Sequence, residues 1–135
     1  MLTITFTDGR QLECESVHSR PVHYNGTSRD QLIFIFPESV GLIDAVAHFT
    51  PENCRKIWLK DESGEQFLHE HYTIRFAAGI KERGALLQIG EDIDHRMVTY
   101  IQMIRTTYSE QQLEEISDVV DTMLIAQLIG GEHDG

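Results

Sequence analysis

The most constraining feature of the sequence is the segment Tyr108–Gly131, because its start, its end and its apolar face can all be read from the residues. Ser109 and Gln112 have the spacing of a capping box, in which each side chain bonds the other residue's free backbone N–H, and Tyr108 is placed to pack on Leu113. The glycine pair that closes the segment can take the left-handed conformation that ends helices. The sequence therefore predicts a C-terminal helix about 30 Å long, at about 1.5 Å per residue.

Apolar residues repeat at spacings of three and four in this helix, as they do in a coiled-coil seam. The run 123–129 is apolar all round except for Gln127, and such a helix needs cover on several sides. The cover comes either from other copies of the chain, which we expect, or from the chain's own sheet. Gln127 either fixes the register of a bundle or points to water. The predicted oligomer interface consists of Leu113, Ile116, Val120, Met123, Leu124, Gln127 and Leu128.

Charge and length restrict the class of protein. The 135 residues fit one domain with an appendage, and the formal net charge of −11 disfavours nucleic acid or an anionic membrane as a partner. No apolar run is long enough to span a bilayer, and the first residues lack the layout of a signal peptide, so we expect a protein that begins at Met1 in a cytoplasm. Cys14 and Cys54 lie far apart, and we expect two buried free thiols.

The N-terminal part reads as a series of short strands. Apolar and polar residues alternate over 2–7, and Asp8-Gly9 suits a type I′ turn into a second strand over 11–18. The segment 19–30 reads as a loop. The continuously apolar run Leu32–Phe36 predicts a strand that is covered on both faces, or one that is covered on one face and packed by a neighbour on the other.

The middle of the chain predicts one short helix between further strands. Residues 39–49 change to a helical period with Ser39 as the cap, with Leu42, Ile43, Val46 and Phe49 facing the sheet. Strands are predicted over 54–60, 66–76, 85–89 and 96–104, with a turn at 61–64 and a loop at 77–84. Glu70 interrupts an apolar face and should lie at an edge or a bulge.

His69-Glu70-His71 is the sharpest chemical pattern. Residues two apart in a strand project to the same side, so His69 and His71 are candidate metal ligands. A third ligand would have to come from Cys14, His18 or His23, and polar side chains facing solvent are the favoured reading. We therefore expect no metal and no cofactor.

Catalytic motifs are missing from the sequence. It contains no nucleophile elbow, no Walker loop and no dinucleotide-binding glycine pattern. The carboxylates Glu91, Asp92 and Asp94 fall in a turn-like segment. The expectation is a protein that is not an enzyme.

Several strings resemble small proteins encoded in the tail and baseplate gene clusters of phages and prophages of Firmicutes. They are Phe6–Arg10, Phe49–Asn53, Tyr72–Ile74, Thr107–Leu113 and Val120–Leu124. The resemblance implies a virion or virion-assembly protein with a β-rich head and a helix for self-association. It implies no catalytic residues.

Together these observations predict an α+β chain: a small antiparallel β-rich head over 1–106 with one short helix, a C-terminal amphipathic association helix over 107–131, and a tail over 132–135. The expected function is a structural or assembly component of a phage or prophage tail, in the baseplate or fibre region. It would be made in the host cytoplasm and assembled with itself, a trimer being one option, and with other tail proteins. The alternatives are a monomeric protein-binding adaptor and, less favoured, a metal- or ligand-binding protein that uses His69 and His71.

Overall fold

The computed structural model describes residues 1–87 and 95–113. The chain divides into two units, Met1–Arg105 and Thr106–Gly135. The first is a small β-rich domain of antiparallel sheets with short helices. Its elements are β1 (Leu2–Thr5), β2 (Gln11–Cys14), β3 (Ser16–Ser19), β4 (Val22–Tyr24), β5 (Thr27–Arg29), β6 (Gln31–Pro37), α1 (Leu42–His48), β7 (Lys56–Lys60), β8 (Gln66–Glu70), β9 (Ile74–Glu82), α2 (Arg83–Leu87) and β10 (Met97–Ile104).

Two four-stranded sheets enclose the main core. Sheet 1 has the order β2-β1-β7-β8, and sheet 2 has the order β3-β6-β10-β9. The chain passes from sheet 1 to sheet 2 twice: once at Glu15, whose N–H donates to the carbonyl of Ile35 at 2.8 Å, and once between β8 and β9. Side chains of both sheets therefore fill one interior, which includes Ile4, Phe6, Phe34, Phe36, Ile57 and Met103.

The predicted β1–β2 hairpin is present, but its turn is not type I′. Gly9 has a φ of 87°, whereas Asp8 is not among the residues with positive φ. The N–H of Gly9 donates to Phe6 O and the N–H of Phe6 donates to Arg10 O, both at 2.9 Å. Only one residue of the turn is left-handed because the loop is longer than two residues.

The segment 19–30, predicted as a loop, contains the hairpin β4–β5. Asn25 and Gly26 have φ values of 48° and 80°, which is the type I′ pair that closes a two-residue hairpin. The composition of the segment was correctly read as turn-like. The prediction was wrong because the three-residue strands are too short to show a period.

Strand β6 confirms the reading of its apolar run. Leu32, Phe34 and Phe36 face the main core, while Ile33 and Ile35 belong to a second cluster with Leu86, Leu87, Val98 and Tyr100. Helix α2 covers the face of β6 that carries Ile33 and Ile35. The sequence predicted a strand at 85–89, and α2 over Arg83–Leu87 corrects it.

The short mid-chain helix is confirmed, with differences at its start and on its face. α1 begins after Gly41, which makes no side-chain capping bond, so Ser39 is not the cap. Ala45 and Phe49 are buried, whereas Ile43, which the sequence placed on the inner face, is 85% exposed.

Strand β9 occupies residues 77–82 of the predicted loop 77–84, and α2 begins at Arg83. β9 pairs with β10 along its length, and a bulge leaves Phe76 unpaired where Met103 opposes Arg75 and Gln102 opposes Ala77. The glycine and alanines of this stretch fit because Gly79 lies against Tyr100: a Cβ there would approach the tyrosine oxygen to 3.2 Å. Small residues that looked like a loop are thus required by cross-strand packing.

In the second unit, residues 108–113 are helical, and this segment is named α3. Its cap is Thr107, not Ser109. The N–H of Glu110 donates to Thr107 Oγ1 at 3.3 Å, and the N–H of Thr107 donates to Glu110 Oε1 at 3.0 Å, which is a reciprocal capping box. Tyr108 lies in the first turn, where its hydroxyl accepts from Gln112 Nε2 at 2.9 Å.

Candidate interaction surface

The corner between β8 and β9 replaces the single strand that the sequence predicted over 66–76. His71 has a φ of 68°, and its N–H donates to the carbonyl of Arg55 at 2.9 Å. β8 ends at Glu70 and β9 begins at Ile74, in the other sheet. The left-handed residue turns the chain, so the alternation of faces is not continuous across it. Glu70 does end an edge strand, as predicted.

The corner changes the arrangement of the candidate metal ligands. His69 and His71 no longer share one strand face, because His71 lies beyond the end of β8 in a left-handed conformation. His71 Nε2 lies 3.8 Å from Glu70 Oε2. Within 1–87 and 95–113, no group of three histidine, cysteine, aspartate or glutamate side chains could hold a metal ion. The two imidazoles therefore do not share a strand face, and metal binding by His69 and His71 stays a prediction.

His69 instead belongs to an open groove of about 460 Å³ beside the end of β8. The groove is lined by Leu68, His69, Glu70, Tyr72 and Arg105. The rings of His69 and Tyr72 meet edge to face with centroids 5.9 Å apart. Such a groove combines one cation, one carboxylate and two aromatic rings in reach of solvent.

Burial favours the neutral forms of two ionisable side chains in the groove. Burial lowers the pKa of His69, so its imidazole is neutral at pH 7. Burial raises the pKa of Tyr72, with a further contribution from the charge of Asp30, so its phenol keeps its proton. The groove therefore offers neutral hydrogen-bonding groups beside the charges of Glu70 and Arg105.

Exposed apolar side chains adjoin the groove on β8. Phe67 is 51% exposed and Leu68 is 46% exposed. The pairing with β7 places Phe67 opposite the core residue Leu59 and Leu68 opposite the half-buried Trp58. The flanking Gln66 and Glu70 were the available signal that this strand lies at the rim.

The predicted oligomer interface lies mostly outside the described residues. Leu113 is in the described part of α3 and is exposed. Outside the described ranges lie Ile116, Val120, Met123, Leu124, Gln127 and Leu128, and so do the carboxylates Glu91, Asp92 and Asp94.

The two cysteines are buried free thiols, as predicted. Burial raises the pKa of both Cys14 and Cys54 to about 12. At neutral pH they are protonated thiols, and a protonated thiol is a poor nucleophile and a poor metal ligand.

Comparison with known proteins adds no relative: no protein-family model, curated protein or solved structure matches this chain. Among the residues that the structure describes, no helix is long and apolar enough to cross a membrane.

Proposed function

We propose that this chain is a non-catalytic structural or assembly component of a phage or prophage tail, and that it self-associates through the helix over 107–131. The observation that carries the proposal is the capping box of Thr107 and Glu110. The capping box starts a helix directly after the β domain, and the described part of this helix reaches Leu113, the first residue of the apolar repeat. The tail assignment itself rests on the sequence resemblance.

The chemistry of the described surface supports the same proposal. The groove at the end of β8 holds a neutral imidazole and a protonated phenol, and both thiols are buried and protonated. Exposed apolar side chains, in contrast, are a common property of protein–protein contact surfaces. The exposed apolar side chains therefore favour partners that are proteins.

Sedimentation of the full chain at micromolar concentration tests self-association. The variant Leu124→Glu introduces a charge into the apolar run and should lower the sedimenting mass by breaking the helix contact. Thr122→Glu adds the same charge on the side of the helix that the seven-residue pattern places away from the seam, and it should leave the oligomer intact. A wild-type chain that sediments as a monomer, with a mass unchanged by Leu124→Glu, would contradict the proposal.

The start of the helix can be tested with two alanine variants. Thr107→Ala removes one half of the capping box and should destabilise the helix by about 1 kcal/mol. Ser109→Ala, at the position that sequence spacing favoured, should change the helix stability much less. The measurement is the concentration at which the oligomer dissociates, followed by circular dichroism. Equal effects of the two variants would show that the Thr107 capping box does not determine where the helix begins.

The tail assignment needs a test of its own. Tail particles purified from the source bacterium after prophage induction should contain this chain together with other tail proteins, as measured by mass spectrometry. Particles that lack the chain would contradict the tail assignment and leave the self-association result unaffected.

A further inference from the structure

Strand β8 forms an edge of sheet 1 that is open to solvent. Among the described residues, β7 is the strand that pairs with it. Gln66, Phe67 and Leu68 are consecutive and all exposed, so both faces of the strand are accessible as well as its edge. An edge of this kind presents unpaired N–H and C=O groups to a further strand.

The two edges formed by β8 and β9 differ in how well they are protected. β9 carries the bulge at Phe76 and a lysine at position 81, both of which discourage a further strand from pairing. β8, with the sequence Gln-Phe-Leu-His-Glu, has regular pairing with β7 and contains no lysine or proline. Both edges carry exposed apolar residues, Phe67 and Leu68 on β8 and Phe76 and Ile80 on β9, but β8 lacks the features that protect β9.

We propose that β8 pairs with β8 of a second copy of this chain, antiparallel and centred on Leu68, so that two copies of sheet 1 join into one continuous sheet. This contact goes beyond the proposed function, because it is separate from the helix over 107–131 and does not require it. The occupant is a second copy because the sequence of the strand is complementary to itself when reversed.

The complementarity can be followed position by position. With the two-fold axis at Leu68, the leucines of the two copies face each other. Phe67 then faces His69 of the second copy, and Gln66 faces Glu70 of the second copy. These are an apolar pair, an aromatic pair and an amide that can donate to a carboxylate, and such cross-strand pairs stabilise antiparallel sheets.

A slip of one residue in one direction is disfavoured by charge, because Glu65 then faces Glu70 of the second copy at both ends of the paired segment. A slip of one residue in the other direction places Phe67 opposite Glu70 and Leu68 opposite His69, which removes the leucine pair. Like charges directly opposite each other destabilise a pair of strands. The register centred on Leu68 avoids that repulsion.

The pairing also extends the apolar rows that already cross sheet 1. Trp58 and Leu68 are opposite each other within one copy. In the joined sheet, this row continues with Leu68 and then Trp58 of the second copy. On the other face the row Leu59–Phe67 continues to His69 and Ile57 of the second copy. The exposed side chains of β8 thereby gain apolar neighbours on both faces.

Disulfide trapping tests the register directly. In the proposed dimer, residue 68 faces residue 68, so the Leu68→Cys chain should form a covalent dimer under mild oxidation. Gln66→Cys is the control, because its two copies would lie four residues apart, roughly 13 Å at about 3.3 Å per residue, and beyond the reach of a disulfide. The native cysteines should not interfere because both are buried.

The expected result is a rate of dimer formation at least about tenfold higher for Leu68→Cys than for Gln66→Cys, because pairing raises the effective concentration of the thiols. A mixture of Gln66→Cys and Glu70→Cys chains of different mass should give the mixed dimer in preference to either pure one. Equal rates for the two single variants, together with a mixed dimer at the statistical proportion, would overturn the proposal. The outcome is independent of the Leu124→Glu experiment, so failure of the helix contact and failure of the edge contact are distinguishable.

Discussion

Strands β6 and β8 differ in burial more than any other pair of strands in the domain. Five consecutive side chains of β6, Leu32–Phe36, are buried, and β8 has no buried residue over Gln66–Glu70. β6 lies between β3 and β10 in sheet 2, while β8 ends sheet 1. Each strand nevertheless carries a phenylalanine and a leucine. Position in the sheet, more than residue type, therefore decides what such a side chain contributes.

The buried Phe34 and the exposed Phe67 show which strand contributes to stability and which is available for recognition. Phe34 is fully buried, with its ring centroid 4.9 Å from that of Phe49, and it belongs to the main core, which contains residues of both sheets. Phe67 has half of its surface in water. A buried side chain can stabilise the fold, whereas an exposed one on an open edge is free to bind a partner.

The largest expected effect comes from the same truncation in both strands. Phe34→Ala should lower the free energy of unfolding by about 3–5 kcal/mol, because it removes a fully buried ring and leaves a cavity. Phe67→Ala, the matched change in β8, should lower it by less than about half of that, because transfer energy scales with the area buried. Urea denaturation of the two variants measures both values. Similar losses would mean that β8 is as much a part of the core as β6.

A smaller effect distinguishes the two faces of sheet 2. Ile33 is fully buried under α2. Ile33→Val should therefore lower the free energy of unfolding by about 1 kcal/mol. Ile80, in the same sheet, is 49% exposed, and Ile80→Val is the control that should be close to neutral. The thermal midpoints of the two variants check this. An unchanged midpoint for Ile33→Val would show that α2 does not close the second face.

The sequence predicted the strands whose residues are uniformly buried or strictly alternating. The run Leu32–Phe36, the alternation of β1 and the turn at 61–64 each depend on contacts between near neighbours, and a local pattern can report them. The corner at His71 could not be found in this way. It exists because the chain must pass from one sheet to the other, which is a property of the whole domain.

The errors at the other elements have the same origin. The small residues of β9 read as a loop, but Gly79 is small because Tyr100 of the neighbouring strand occupies the space above it. The cap of α3 was placed two residues too late, since Ser109-x-x-Gln112 and Thr107-x-x-Glu110 are both valid patterns and only the backbone distinguishes them. The exposed edge of β8 could be predicted only if the strand order were known. The candidate surface was thus only partly accessible from sequence.

The smallest expected effect concerns pH, and it compares a histidine beside β6 with one on β8. Burial lowers the pKa of His18 and of His69, with the charges of Arg83 and Arg20 adding to the effect at His18. An unfolded histidine has a pKa of about 6.5. Just below that pH the unfolded chain binds more protons than the folded one, so the free energy of unfolding falls as pH decreases.

The stabilising contribution of each neutral histidine should therefore be complete above about pH 7 and decline below about pH 6.5. His69→Gln and His18→Gln should each make the decline between about pH 6.5 and 5 shallower. His23→Gln, which replaces an exposed histidine of β4, is the control for the effect of the substitution itself. Urea denaturation at a series of pH values gives the slopes. A slope unaffected by His69→Gln would mean that the groove beside β8 admits water as freely as the exposed hairpin, and that its imidazole is not desolvated in the folded chain.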